Sequence, residues 1–221
     1  MQRPRTKEDF NKWYYENNDD PWGYKNRNIQ SRLQESLNFI LNFIPEDFSG
    51  SMIELGAFRG DFSILLCNAF RNAKIYINDI SDVALNYARE RTSSFSNVSY
   101  FTKDLLNVSA DDIEANGSGS VLVLLECIYY LKNEERAAAL KNLKKNFPEA
   151  SVFLSAPIIG GDYFLEDQLL DLMKICGYRF KNLKVLNLRK LSFLRLGLKP
   201  VANISKLIRG KIANQVLFYF T

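Results

Sequence analysis

The 221-residue chain contains no histidine, and this absence excludes several kinds of active site. Nucleophiles that depend on a histidine base, such as Ser-His and Cys-His pairs, cannot be built from these residues. A histidine-ligated zinc site is excluded as well, and because no Cys-x-x-Cys pair is present we predict no metal. Reactions that mainly need a well-placed acceptor, with a carboxylate or a tyrosine to take up a proton, remain open.

Cysteine is also scarce, and its spacing argues against disulfides. Cys67, Cys127 and Cys176 are odd in number, widely separated and embedded in apolar patterns, which predicts buried free thiols in a reducing compartment. The charged N-terminus does not read as a secretory leader, and no apolar run approaches the roughly 18 residues that span a bilayer. We therefore expect one domain over residues 1–221, in the cytoplasm.

Acidic residues are missing from the last part of the chain. After Asp171, eleven Lys and Arg residues follow without one Asp or Glu, although the whole chain has a net charge of only +4. Residues 189–212 interleave these cations with apolar residues, which predicts a basic amphipathic insertion before the last strand. Such a segment either packs on the sheet with its lysines in water, or contacts an anionic membrane surface or substrate. Nucleic acid is disfavoured because Phe193 is the one aromatic residue between Arg189 and Lys211.

What the chain does contain is a regular alternation of apolar runs and amphipathic stretches. Strands are predicted at 51–55, 74–78, 98–101, 120–125, 151–155, 182–188 and 214–221, the last two antiparallel to each other. Helices are predicted at 25–44, 60–70, 82–92, 133–146 and 163–176. This order predicts an α/β fold, a parallel sheet with helices on both faces. Residues 1–24 are predicted to be irregular and to belong, with the first helix, to an N-terminal cap over residues 1–45.

A glycine turn between the first two predicted strands is typical of a nucleoside site. Gly56 and Gly60 would let a ligand approach the backbone of this turn. Asp79 would end the second strand at the carboxyl edge of the sheet, where it can bind the hydroxyls of a sugar. A dinucleotide is disfavoured because Phe58 stands where the middle glycine would be. Taken alone, the unit also fits an ordinary tight turn followed by a helix-capping acid.

Acids at four successive strand ends extend this pattern. Glu54 precedes the turn, Asp79 ends the second strand, Asp104 follows the third and Glu126 ends the fourth. With this order and spacing the chain resembles the class I S-adenosylmethionine-dependent methyltransferases, whose first motif is Glu/Asp-x-Gly-x-Gly-x-Gly. The resemblance implies a Rossmann-like seven-stranded methyltransferase sheet with an N-terminal helical cap, and S-adenosyl-L-methionine as the cofactor.

Two further segments are similar to the nodulation-type N-methyltransferase branch of this class. They are Asn-Asp-Asp-Pro-Trp-Gly-Tyr at residues 18–24 and Glu-x-x-Tyr-Tyr-Leu at residues 126–131. The likeness covers about residues 10 to 165. The branch acts on amino groups of oligosaccharide precursors, so the resemblance implies an amino acceptor.

The resemblance also implies a set of cofactor-binding residues. Asp104 with Leu105 would border the adenine, although Asp104 could equally cap the following helix. Ile80 would wall the adenine or serve as a core residue, and Trp22 and Tyr24 would close over the cofactor or anchor the cap. The full expected set is Trp22, Tyr24, Glu54, Gly56, Ala57, Phe58, Gly60, Asp79, Ile80, Asp104 and Leu105.

The expected acceptor site lies around the fourth and fifth strands. Glu126, Tyr129 and Tyr130 are the expected catalytic residues: Glu126 would orient a cationic amine or take its proton. Tyr130 would hydrogen-bond the nucleophile, unless it is a core tyrosine. Asp162 and Tyr163 follow two glycines after the fifth strand and are expected to contact the acceptor.

These observations predict methyl transfer to a small polar acceptor, an amino group of a sugar or a related biosynthetic intermediate. One alternative is O-methylation of a sugar or a lipid-linked glycan, with the basic segment contacting the carrier. Another is a non-catalytic nucleoside-binding module that recruits an anionic partner. Phe58 in the place of a glycine favours this module, and the four strand-end acids oppose it.

Overall fold

The computed structural model describes residues 4–16, 20–113, 119–188 and 213–221. Within these ranges the helices are α1 (Lys7–Glu16), α2 (Arg27–Leu41), α3 (Asp61–Ala69), α4 (Asp82–Thr92), α5 (Asn133–Asn146) and α6 (Glu166–Ile175). The strands are β1 (Ser51–Leu55), β2 (Lys74–Asn78), β3 (Val98–Phe101), β4 (Ser120–Leu125), β5 (Ser151–Pro157), β6 (Phe180–Leu188) and β7 (Ala213–Phe220). Short 3₁₀ turns cover Leu105–Asn107, Ala110–Asp112 and Ile128–Tyr130.

The strands of these described ranges form one seven-stranded sheet in the order β3-β2-β1-β4-β5-β7-β6. The first five strands of this order run parallel, and β7 pairs antiparallel with both β5 and β6. The chain order reverses between β1 and β4, which opens a crevice at the carboxyl edge of the sheet where α/β proteins bind ligands. The predicted α/β fold and the antiparallel last pair are confirmed.

Both faces of the sheet are covered, which explains why its strands read as continuous apolar runs. Leu122 of β4 packs with Leu143 of α5 on one face. Its neighbour Val123 packs with Ile40 of α2 on the other face. All four side chains are buried, and alternate residues along a strand therefore serve two separate cores.

Helix α1 corrects the prediction that residues 1–24 are irregular. The backbone N–H of Asp9 donates to Thr6 Oγ1 (3.2 Å), and the N–H of Thr6 donates to Asp9 Oδ2 (3.0 Å). This reciprocal pair is a capping box that satisfies two N–H groups at the start of the helix. Phe10, Trp13 and Tyr14 share one face of α1 because they are three and four residues apart.

Helix α1 is fixed to the start of α4. Lys7 forms an ion pair with Asp82, and Ser81 Oγ donates to Asn11 Oδ1. Ser81 also caps α4, since its Oγ accepts from the backbone N–H of Ala84 (3.1 Å). The N-terminal cap is therefore attached to the loop that follows β2.

Two further predictions concern the basic insertion and the three cysteines. The basic insertion expected at 189–212 lies outside the described residues. The cysteines are free; Cys67 and Cys176 are buried as predicted, whereas Cys127 is half-buried and lines the cavity described below. In the part of the chain that the structure describes, none of the helices combines the length and the apolar character needed to cross a membrane.

Candidate active site

A cavity of about 300 Å³ lies at the carboxyl ends of β1, β2 and β4, beneath α1. This volume is at the lower end of the range for small-molecule sites, roughly 300–1,000 Å³. Eleven of the residues predicted from the sequence line it: Trp22, Tyr24, Gly56, Phe58, Asp79, Ile80, Asp104, Leu105, Glu126, Tyr129 and Tyr130. The strand ends therefore bring together side chains that are up to about a hundred residues apart in the chain.

The other five predicted residues lie outside the walls of this cavity. Glu54, Ala57 and Gly60 are buried behind the turn. Asp162 lines a separate surface cavity together with Arg5. Tyr163 contacts the Tyr129 ring, with 5.0 Å between centroids.

Asp79 connects the second strand to the turn that follows the first. Its Oδ2 accepts from the backbone N–H of Phe58 (2.8 Å), and its Oδ1 accepts from the N–H of Ser81 (2.9 Å). The backbone N–H of Ile80 also acts on this carboxylate, and because a carboxylate has about four acceptor positions, it keeps capacity for a further donor such as a sugar hydroxyl. Burial raises the pKa of Asp79 to about 6, and the backbone N–H donors oppose this rise.

The two glycines of the turn serve packing as well as turn geometry, which modifies the expectation from sequence. Both have a φ of +76°, a conformation that favours glycine. A Cβ at Gly56 would lie 2.6 Å from the Cβ of Cys127, and one at Gly60 would lie 2.8 Å from the Cα of Ala88. The space beside each glycine is therefore taken by the protein, although Gly56 also lines the cavity.

Phe58 occupies the position of the missing glycine in a left-handed conformation, with a φ of 54°. Its ring contacts those of Tyr14, Trp22 and Tyr24, with centroids 5.2, 4.6 and 4.7 Å apart. Strained backbone of this kind costs about 1–3 kcal/mol and persists where surrounding contacts hold it. The ring forms a wall of the cavity and joins the turn to the cap.

Trp22 and Tyr24 combine packing in the N-terminal cap with a place in the cavity wall. Trp22 packs on Trp13 of α1 (5.1 Å between centroids) and also contacts Tyr130 (6.1 Å). Both residues line the cavity. Trp22 therefore packs in the cap and lines the cavity at once, and closure over a ligand stays a prediction.

Glu54 lies beneath the turn as a buried acid. Its Oε2 accepts a hydrogen bond from Ser63 Oγ on α3. Burial raises the pKa of Glu54 to about 8, and the bond from Ser63 partly opposes this rise. The carboxyl is therefore largely protonated at neutral pH, and its position indicates support of the turn from below.

Asp104 lines the cavity, as do the apolar residues Ile80 and Leu105. Its Oδ1 accepts from the backbone N–H of Leu106 (2.9 Å), so it caps the short turn that follows β3. The capping role weighed from the sequence is thus present in a residue that also borders the cavity. Apolar side chains together with an acid in one cavity suit a purine with an exocyclic amino group.

Glu126 marks the end of β4 in a left-handed conformation, with a φ of 59°. Its Oε1 accepts from Ser155 Oγ on β5 (2.7 Å), and its Oε2 accepts from the hydroxyl of Tyr129 (3.4 Å). Burial raises the pKa of Tyr129 and Tyr130 well above their usual value. These phenols therefore stay protonated at neutral pH.

No sequence pattern indicated several of the residues that line the cavity, and Arg32 is the most informative of these. It lies on α2, and its Nη1 donates to Oε1 of the buried Gln215 on β7 (2.6 Å). It is half-buried, and none of the described carboxylates pairs with it in a salt bridge. A guanidinium in this setting suits a carboxylate ligand. The helix predicted at 25–44 carries no sign that Arg32 faces a cavity formed by distant strands.

Solved structures of known proteins have the same architecture. The N-methyltransferase NodS of Bradyrhizobium japonicum WM9, in complex with S-adenosyl-L-homocysteine, is 16% identical, covers 92% of both chains and gives a TM-score of 0.64. The magnesium protoporphyrin IX methyltransferase of Synechocystis PCC 6803, with the same compound bound, is 13% identical over 97% of this chain and 98% of that chain, with a TM-score of 0.64. An S-adenosylmethionine-dependent methyltransferase of Aquifex aeolicus is 14% identical over 87% and 98%, with a TM-score of 0.59. At such identities the likeness establishes the fold.

The fold, together with a match to a family profile, defines a class I S-adenosylmethionine-dependent methyltransferase. A family profile described as nodulation protein S (NodS) matches residues 11–156, about two thirds of the chain. The chain belongs to this NodS family. No curated protein gives a significant match to its sequence.

Proposed function

We propose that the enzyme transfers the methyl group of S-adenosylmethionine to an amino group on a small polar acceptor, such as a sugar or a related biosynthetic intermediate. The observation that carries this proposal is Glu126, a carboxylate held by Ser155 and Tyr129 at the cavity wall beyond the turn. The N-methyltransferase activity in the name of the Bradyrhizobium structure also favours nitrogen.

This chain would bind S-adenosylmethionine, the methyl donor, at the carboxyl ends of its first two strands. Asp79 would accept hydrogen bonds from the ribose hydroxyls, and Ile80 and Leu105 would enclose the adenine. Arg32 would pair with the carboxylate at the methionine end. When bound, the donor supplies a sulfonium-activated methyl group that needs no further activation by the protein.

The acceptor end would favour a cationic amine over a neutral hydroxyl. Tyr24, Tyr129 and Tyr130 face the cavity beside Glu126, and aromatic faces attract cations. Glu126 would pair with the ammonium and take one of its protons, leaving the nitrogen lone pair free to attack. Positioning of the two reactants in this way contributes about 7–11 kcal/mol to lowering the barrier.

A labelled-methyl assay tests the proposal. The purified protein is incubated with methyl-labelled donor and a matched panel of amino sugars and their hydroxyl counterparts. We expect label on the amines, and Glu126→Gln should lower kcat by roughly 10²–10⁴-fold while retaining affinity for S-adenosylhomocysteine. Glu149→Gln is the control, because Glu149 is exposed.

The alternatives give different results in the same assay. Label on the hydroxyl compounds alone would indicate O-methylation. Tight binding of S-adenosylhomocysteine without transfer to the panel or to cell extracts would support a non-catalytic binding module. Either outcome contradicts amine methylation.

A further inference from the structure

Arg136 joins two segments, one of which lines the cavity while the other follows β5. It is located in the first turn of α5, and only 6% of its surface is exposed. Its Nε donates to the carbonyl oxygen of Leu131 (3.2 Å), and its Nη2 donates to those of Tyr129 (3.2 Å) and Asp162 (2.7 Å). One side chain thus holds the segment after β4 and the segment after β5.

The first of these segments carries two residues that line the cavity where the acceptor is proposed to bind. Tyr129 and Tyr130 lie on the short turn Ile128–Tyr130, their rings 4.8 Å apart. The Tyr129 hydroxyl reaches Glu126. Because Arg136 binds the carbonyls of residues 129 and 131, it fixes the backbone on both sides of Tyr130.

The second segment is the loop at residues 158–164. A hydrogen bond within the loop runs from the backbone N–H of Gly160 to the carbonyl oxygen of Phe164 (2.9 Å). The Arg136 guanidinium lies over the Phe164 ring, 4.6 Å from its centroid. Tyr163 of this loop meets Tyr129 of the first segment. The two segments are thus in contact directly as well as through Arg136.

We propose that Arg136 is a positioning residue for methyl transfer, which aligns the Tyr129–Tyr130 turn and the 158–164 loop around the acceptor. This proposal rests on the proposed function, because it assigns these segments to the acceptor. Arginine suits the task since its planar fork offers several donors in fixed directions. A lysine would keep the charge but has one nitrogen, which cannot replace bonds made from both Nε and Nη2.

The test compares Arg136→Lys, Arg136→Met and the control Lys145→Met, which removes an exposed charge from the same helix. Hydrogen exchange is measured with S-adenosylhomocysteine bound, together with its Kd. We expect faster exchange confined to residues 129–131 and 158–164 in both Arg136 variants, with the Kd unchanged. The control should match the wild type.

Activity gives the second readout, on the acceptor that the wild type labels best. Small misalignments of reactants cost up to about 100-fold in rate, so Arg136→Lys should lower kcat roughly 10–100-fold at an unchanged Kd for S-adenosylhomocysteine. If Arg136→Met does not fold, Arg136→Lys decides the matter. If the wild type methylates no acceptor, the proposed function fails, while the exchange pattern still tests the role of Arg136.

Three results would overturn the role of Arg136. The first is faster exchange spread evenly over the sheet, which would indicate a general stabilising residue. The second is loss of S-adenosylhomocysteine affinity in step with activity. The third is an Arg136→Lys variant with wild-type exchange and kcat.

Discussion

The backbone N–H of Phe58 donates to the carboxylate of Asp79, with 2.8 Å between nitrogen and Oδ2. The residue that replaces the motif's central glycine is thereby bonded to the acid proposed to hold the ribose. The turn and the second strand end form one unit, and the substitution by Phe58 has not separated them. The bond uses only the backbone of Phe58, and the Phe58 ring packs against Tyr14, Trp22 and Tyr24, so the turn keeps its contact with Asp79 although a bulky residue stands at a glycine position.

Affinity for S-adenosylhomocysteine should depend on the protonation of Asp79. Its pKa is raised to about 6 by burial, and a protonated carboxyl loses acceptor positions for the ribose hydroxyls. We expect the affinity to be constant above pH 7 and to fall as the pH drops through 6. Calorimetric titrations between pH 5 and 8 check this, and a profile that stays flat across that range would argue against the assignment.

Glu54 should make the folded protein less stable at alkaline pH. Its pKa is raised by burial from 4.5 to about 8, so the folded state prefers the protonated form. The resulting contribution to the free energy of unfolding is complete below pH 4.5. It is lost as the pH rises through 8. Denaturant unfolding from pH 7 to 9 should show a free energy of unfolding that falls most steeply near pH 7, by up to about 1.4 kcal/mol per pH unit, with the contribution of Glu54 levelling off above pH 8.

The variant Glu54→Gln removes this titration. Its free energy of unfolding should vary less with pH than that of the wild type over the same range. Asp79 does not interfere, because its pKa of about 6 lies below the range. Parallel curves for the two proteins would contradict the buried protonated state.

Helix α1 should slow the release of S-adenosylhomocysteine. Tyr14 is buried and its ring stacks on Phe58, so Tyr14→Ala removes an anchor of the cap. We expect a faster dissociation rate in stopped-flow measurements, with little change in the association rate. The neighbouring Tyr15 is 73% exposed, and Tyr15→Ala should behave as the wild type. Equal effects of the two variants would exclude a closing role for this face of α1.

Arg32 should recognise the amino-acid end of the donor. Arg32→Gln is expected to weaken binding of S-adenosylhomocysteine by roughly 10–100-fold, in line with about 1.5–3 kcal/mol for a hydrogen bond to a charged group. Binding of 5′-methylthioadenosine, which lacks the carboxylate, should be unchanged. Arg71→Gln is the control because Arg71 is exposed. Equal weakening of both ligands would refute this role.

The sheet could be predicted from the sequence because its strands are continuous apolar runs that end in turn residues or acids. The bounds of β1, β2, β3 and β4 agree with those expected. The strand-end acids Asp79, Asp104 and Glu126 were placed for the same reason, since parallel strands bring their carboxyl ends to one edge. Local pattern was sufficient for these elements.

The cap and the arginines could not be placed in this way. Helix α1 is rich in polar residues, and its aromatic face is buried only because α1 folds over a cavity formed by distant strands. The capping box at Thr6 and Asp9 was a readable signal that the prediction missed. Arg136 lies in a charged stretch typical of an exposed helix, yet it is buried by carbonyl acceptors from two separate segments.

The most direct test of the account is a calorimetric titration of S-adenosylhomocysteine into the wild type, Asp79→Ala and the exposed-site control Asp111→Ala, with unfolding temperatures measured alongside. We predict micromolar binding to the wild type and the control, and no detectable binding to a folded Asp79→Ala. Equal affinity of Asp79→Ala, or no binding by the wild type, would contradict a nucleoside site built on the first two strands.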